Sequence, residues 1–172
     1  MGKRNCSSPS SLKTYVLMLS REFPGYHPRC GQPTEFRSKY GKGVKKHTLR
    51  ANAELWERRA AEVNAGRAVL SVRQWSGRPY GKGSHQEEIF RLTRLGTQRV
   101  TLLYRHYGPG VCRLPYLAEV HSGRYHPKVT DLDVLASNDG LSCEDFRHWF
   151  PHRGDAGEDF HGVILHFTDM RY

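Results

Sequence analysis

The chain has 172 residues and a formal net charge of +10, a length at which one domain buries a core without disulfide or metal staples. Aromatic residues make up 11% of it, which excludes global disorder. The cation excess favours an anionic partner; RNA or a nucleoside-like ligand fits better than a membrane, because no amphipathic basic helix, lipidation signal or membrane-length apolar run is present. The plainer alternative is a soluble basic protein with no such partner.

Cys6, Cys30, Cys112 and Cys143 form no Cys-x-x-Cys pair and no secretory signal precedes them, so free thiols and a cytoplasmic location are expected. His27 with Cys30, or His148 with His152, has ligand spacing but no second half elsewhere, so no metal site and no cofactor is expected.

In chain order, residues 1–13 are basic and serine-rich and read as a disordered arm ahead of a single domain spanning 14–172. The run 15–19 is a first strand of the doubly buried kind, stopped by Pro24-Gly25. Residues 26–33 form an irregular connection. No acid lies between Glu35 and Glu54, while Arg37, Lys39, Lys42, Lys45, Lys46 and Arg50 all do; with Tyr40 and His47 among them, this tract either follows phosphates or is a solvated face. Asn52 suits a helix N-cap and Gly66 a C-terminal stop, with Leu55, Trp56, Ala60 and Val63 as the apolar stripe and Trp56 in the core.

A second strand spans 68–75 and runs into the loop 76–83. Around that loop Arg73, Trp75, Arg78 and Tyr80 either stack a base and meet phosphate or belong to a long hairpin. Its glycines lack the Gly-Lys-Ser/Thr of a phosphate loop. Strands at 88–95 and 98–106 read as a hairpin turning at Gly96-Thr97. After Gly108-Pro109-Gly110, an edge strand at 114–120 tolerates Pro115. Ser142 and Asp145 form a capping box for a helix with Phe146, Trp149 and Phe150 on one face, closed by Pro151. A buried strand at 163–167 is expected to pair beside the first.

The segment Gly43-Val44-Lys45-Lys46-His47-Thr48-Leu49-Arg50 reads as a glycine turn followed by a strand. In the strand Lys46, Thr48 and Arg50 share one face, so Lys45 meets the Thr48 hydroxyl only from the turn before it. Its pattern, Gly-x-Lys-x-x-Thr-x-Arg, resembles the signature of ASCH domains, members of the PUA-like superfamily of RNA-associated barrels. Within that family it is similar to small bacterial amidohydrolases that deacetylate acetylcytidine. From about Tyr15 onward the organisation resembles uncharacterised ASCH proteins of bacteria and phages. The resemblance implies an α+β protein around a small PUA-like barrel of five to six strands with two to three flanking helices. It also implies catalytic roles for Lys45, Thr48 and, in place of the family's glutamate, Asp139, which on its own residues reads equally as a turn acid before the capped helix.

Three functions follow as expectations. The first is RNA or nucleoside binding in a basic cleft at the barrel mouth, by Arg37, Lys39, Lys42, Lys46, Arg50, Arg73, Trp75, Arg78 and Tyr80. The alternative is an amidohydrolase in which Thr48 attacks the acetyl carbonyl, Lys45 takes its proton, Asp139 assists the leaving amine and Arg50 or a loop amide steadies the oxyanion. A weaker alternative is a ribonuclease using His47, Lys45 and Arg50, against which counts the strand alternation that turns His47 away from Thr48.

Overall fold

A computed structural model describes residues 12–104, 114–123, 126–151 and 159–172. It is a mixed α+β structure with a three-stranded and a five-stranded sheet and four helices, and among the described residues neither sheet closes into a barrel. The elements are β1 (Lys13–Met18), α1 (Phe36–Gly41), β2 (His47–Arg50), α2 (Ala53–Asn64), β3 (Ala68–Trp75), β4 (Gln86–Leu92), β5 (Gly96–Tyr104), β6 (Pro115–His121), β7 (Lys128–Thr130), α3 (Leu132–Asn138), α4 (Cys143–Trp149) and β8 (Phe160–His166). The smaller sheet runs β1-β3-β4 and the larger β2-β8-β5-β6-β7.

The strand count exceeds the expected five to six, and α1, α3 and β7 were not anticipated, because each is too short to carry a periodic signal. Lys13 opens β1 rather than ending an arm, so the strand starts earlier than its apolar run; the rest of the expected arm, 1–11, lies outside the described residues, as do Gly108-Pro109-Gly110, Cys112 and His152. β1 is not buried on both faces, since Val16 is exposed, and it pairs parallel to β3 instead of lying beside the last strand. β8 is instead the interior strand between β2 and β5, and the run from Val163 to Leu165 is fully buried.

The expected hairpin at Gly96-Thr97 does not form. β4 pairs with β3, and β5 with β6 and β8, so residues 93–95 carry the chain from one sheet to the other. Asn64 holds that crossing from the end of α2: its side-chain amide donates to the Leu95 carbonyl and its oxygen accepts the Leu95 N–H, at 2.9 and 2.8 Å. β6 is interior rather than an edge, flanked by β5 and β7, and Pro115 is accommodated as its first residue.

Helix α2 forms where it was expected, its first turn capped by the Asn52 side chain, which accepts from Leu55 N–H. Its buried stripe is Ala53, Trp56, Ala60 and Val63, with Ala53 in the place expected of Leu55. This stripe packs against β3, β5 and β8, and residues of both sheets belong to one hydrophobic cluster around Leu70, Leu102, Ile164 and Phe146.

Gly162 lies on β8 where that strand passes β2 and β5. A Cβ there would sit 2.6 Å from the Arg50 carbonyl oxygen and within 2.7 Å of the Phe160 ring. Gly162→Ala is therefore expected to destabilise the fold by about 1–3 kcal/mol through overpacking, read as a lower urea midpoint with unchanged m-value.

Candidate functional site

The site is assembled where the end of α3 meets the turn before β2. α3 stops in a left-handed turn at Gly140, φ +77°, where the Gly140 N–H donates to the Ser137 carbonyl and the Leu141 N–H to that of Ala136. A Cβ on Gly140 would lie 3.2 Å from the Lys45 Cβ, so the glycine both turns the chain and lets Lys45 approach. The Lys46 N–H donates to the Asn138 carbonyl at 2.7 Å, and Phe167 N–H to that of Lys46 at 2.9 Å. These two bonds clamp the segment ahead of β2 between the end of α3 and the residue after β8. Lys45 thus sits in a turn and not on the strand, as its spacing from Thr48 requires.

Lys45 Nζ lies 2.6 Å from Asp139 Oδ1 and donates also to the Asp139 carbonyl at 2.7 Å. The Lys45 side chain has no exposure and that of Asp139 only 5%. The ammonium rests over the Phe36 ring, 3.9 Å from its centroid. Burial pulls Lys45 below the usual lysine range and pushes Asp139 above the usual carboxylate range, and in each case the partner's charge opposes the shift. Arg50 and Lys39 lower Lys45 further. Asp139 thus follows α3 as its C-cap, in the turn ahead of the helix that Ser142 caps, and is also the ion-pair partner of Lys45.

Thr48 and Arg50 share a face of β2 with the pocket. Arg50 Nη1 donates to Thr48 Oγ1 at 2.9 Å and to the Leu49 carbonyl at 2.7 Å, while Nη2 donates to the Met18 carbonyl at 2.7 Å. The Thr48 hydroxyl faces the Asp139 carboxylate across the same cavity and slightly offsets the rise that burial imposes on it. Thr48, Arg50 and Asp139 line a cavity of about 230 Å³ whose other walls are Met18, Leu19, Ser20, Phe36, Trp149 and Phe150. This lies under the ~300 Å³ lower bound of drug-sized ligand pockets and suits one planar ring with a substituent. Lys45 stands behind Asp139 rather than in the wall. A groove of about 580 Å³ shares Met18, Leu19 and Ser20 with the cavity and continues to Trp75, Arg78 and Pro79.

The structure divides the expected nucleic-acid residues. Arg50 is in the cavity wall, and Trp75 and Arg78 line the adjoining groove. Tyr80, 90% exposed, packs its ring 4.9 Å from that of Trp75. Arg73 is held by Ser71 Oγ at 2.8 Å. Arg37 pairs with Glu87 at 3.0 Å and lines a shallower neighbouring pocket. Lys39 packs its stem toward Gly140, Lys42 is exposed at the end of α1, and Lys46 is partly buried; none of these three lines the cavity. The walls from α4, Trp149 and Phe150, and Ser20 after β1 were missed as site residues, since nothing local in the sequence links them to Thr48.

His47 points to the opposite face from Thr48, paired across the sheet with His166. Its Nε2 is hydrogen-bonded to the Tyr172 hydroxyl at 2.7 Å, which accepts from Asn138 Nδ2 at 3.0 Å. His47 does not reach the cavity and offers no base there. His27 is a packing residue whose Nε2–H donates to the Asp145 carbonyl at 3.0 Å. No metal-binding cluster of three or more His, Cys, Asp or Glu occurs among the described residues, and no helix among them is long and apolar enough to cross a membrane. Compared with family models, curated proteins and solved structures, the chain matches none.

Proposed function

We propose that this chain is a PUA-like protein of the ASCH type whose Thr48 cavity takes the base of a nucleoside or of an RNA nucleotide. The observation that carries this reading is the Thr48 hydroxyl, bonded by the Arg50 guanidinium at 2.9 Å and sharing the wall of a ring-sized, aromatic-flanked cavity with the Asp139 carboxylate. A base in that position finds a donor and an acceptor for its polar edge and aromatic carbon for its faces. The groove toward Trp75 and Arg78 leaves room for a sugar and a neighbouring nucleotide.

The same geometry favours a second reading, amide hydrolysis on an N-acylated cytidine. Thr48 Oγ forms the bond to the acyl carbon, and its proton passes to Asp139, the carboxylate that lines the same cavity. Collapse of the tetrahedral adduct breaks the C–N bond, and the leaving amine takes that proton. Water then hydrolyses the threonine ester, releasing acetate. In this scheme Lys45 positions and charges Asp139 instead of accepting the threonine proton, because its ammonium is spent on the two Asp139 oxygens.

Incubation with N4-acetylcytidine, with acetate release and cytidine binding followed in parallel, tests both readings. Hydrolysis predicts acetate release that Thr48→Val abolishes and Asp139→Asn lowers by about 10²–10⁴-fold, with cytidine binding in Thr48→Val weakened by the one lost hydroxyl contact but still measurable. Cytidine or single-stranded RNA binding without acetate release leaves the binding reading alone. Absence of both overturns the proposal.

A further inference from the structure

A second concavity lies on the other side of the larger sheet. It is a groove of about 710 Å³ between the crossing at 93–97 and the end of β8 with the segment after it, from His166 to Arg171. His166 is cross-strand partner to His47, and directly paired residues point to the same face, so it opens away from the Thr48 cavity. No residue lines both.

Three arginines converge on this groove, Arg91, Arg94 and Arg171, against one acid in its lining, Asp169. Arg91 is engaged by Glu88 at 2.9 Å. Arg171 anchors through Nη1 alone, to the Thr168 and Met170 carbonyls at 3.0 and 2.6 Å. Its guanidinium lies across Gly96 so closely that any side chain at that position would overlap it. Both walls are braced: Asn64 holds the Leu95 backbone on one side, and Gln98 Oε1 accepts the Tyr172 N–H at 3.0 Å on the other. Between them sits His166, 1% exposed, with neither ring nitrogen hydrogen-bonded among the described residues. A buried imidazole without a partner is a costly arrangement unless something supplies one.

We propose that this groove binds a phosphate group, with Arg94 and the free edge of Arg171 clasping its oxygens and the N–H of His166 completing the set. Guanidinium forks match phosphate oxygens, and a neutral imidazole still offers one donor. The chemistry is the same for a nucleic-acid backbone phosphate and for a free nucleotide, and it does not depend on what the Thr48 cavity holds.

The test is binding of a fluorescent single-stranded oligoribonucleotide, a nucleoside 5′-monophosphate and inorganic phosphate, with the His166 ring resonances followed by NMR. The Arg94→Ala/Arg171→Ala variant is expected to weaken binding about tenfold or more and to flatten the salt dependence by about one to two phosphate contacts. Gly96→Ala should weaken it as Arg171→Ala does, by displacing the guanidinium. A charge-matched control, Arg58→Ala/Arg147→Ala, removes two exposed cations outside both concavities and should bind as the parent does. Tighter binding of the oligonucleotide than of the monophosphate identifies a backbone site; equal binding of monophosphate and inorganic phosphate identifies a free-phosphate site. Unmoved His166 resonances with all three probes, or equal losses in the two double variants, would overturn the proposal.

Discussion

Asp139→Ala is expected to destabilise the protein by about 3–5 kcal/mol, the range for breaking a buried ion pair from one side. The substitution strands an ammonium with no exposed surface, leaving it the Asp139 backbone carbonyl and the Phe36 ring as its remaining contacts. Lys45→Ala leaves the mirror problem, a nearly buried carboxylate, though Asp139 keeps the Thr48 hydroxyl and has Arg50 nearby, so its loss should be smaller. The double variant Lys45→Met/Asp139→Leu removes both charges at similar volume and is expected to recover most of the stability. It should nonetheless lose most nucleoside binding, because the cavity wall then lacks the Asp139 acceptor and carries a leucine in its place. Urea denaturation of the single and double variants measures the first point and cytidine titration the second. A double variant no more stable than Asp139→Ala would show that the pair contributes more than charge cancellation.

Acid should loosen the fold through the other face of β2. His47 and His166 lie side by side with ring centroids 5.8 Å apart, both buried, and burial with nearby cations holds His47 well below the usual histidine range and His166 down at about 4. The unfolded chain binds protons at these rings from about pH 6.5 while the folded chain refuses them. Stability is therefore fully present above pH 6.5 and falls as pH drops toward 4. For His166 the loss between pH 7.5 and pH 5 is about 2 kcal/mol, and His47 adds in the same direction. Asp139, raised by burial, works oppositely: the folded state holds its proton to higher pH than the unfolded state does. His166→Leu isolates the histidine. Its stability at pH 7.5 should stay within about 1.5 kcal/mol of the parent, and its decline toward pH 5 should be shallower by the His166 share. An unchanged pH profile in this variant would mean that His166 does not titrate with folding.

The elements that were legible in the sequence are those with a local physical signature. α2 announces itself by the Asn52 cap and a 3.6-residue apolar stripe, α4 by Ser142, whose side chain accepts the Asp145 N–H, and β3 by the apolar run Ala68-Val69-Leu70 with Val72. The turn that presents Lys45 was legible from Gly43, whose φ of +70° few other residues adopt. α1 and α3 span six and seven residues, too few turns for a stripe to show. The pairing errors have one cause. Gly96-Thr97 has good hairpin chemistry, but Asn64 binds the backbone just before it and sends the chain into the second sheet, a contact across 31 residues that no local pattern reveals.

The candidate site divides along the same line. The order of residues along the chain determined that Lys45 stands in a turn, that Thr48 and Arg50 share a strand face and that His47 faces away, because these follow from backbone conformation and the two-residue period of an extended chain. Only the tertiary structure decided that Asp139, 94 residues after Lys45, meets it in the interior, that α4 and the residue after it contribute aromatic walls, and that Asp139 rather than Lys45 shares the cavity with Thr48. Those outcomes depend on how helices and sheets dock, where burying apolar area and satisfying backbone groups at helix ends outweigh local preference.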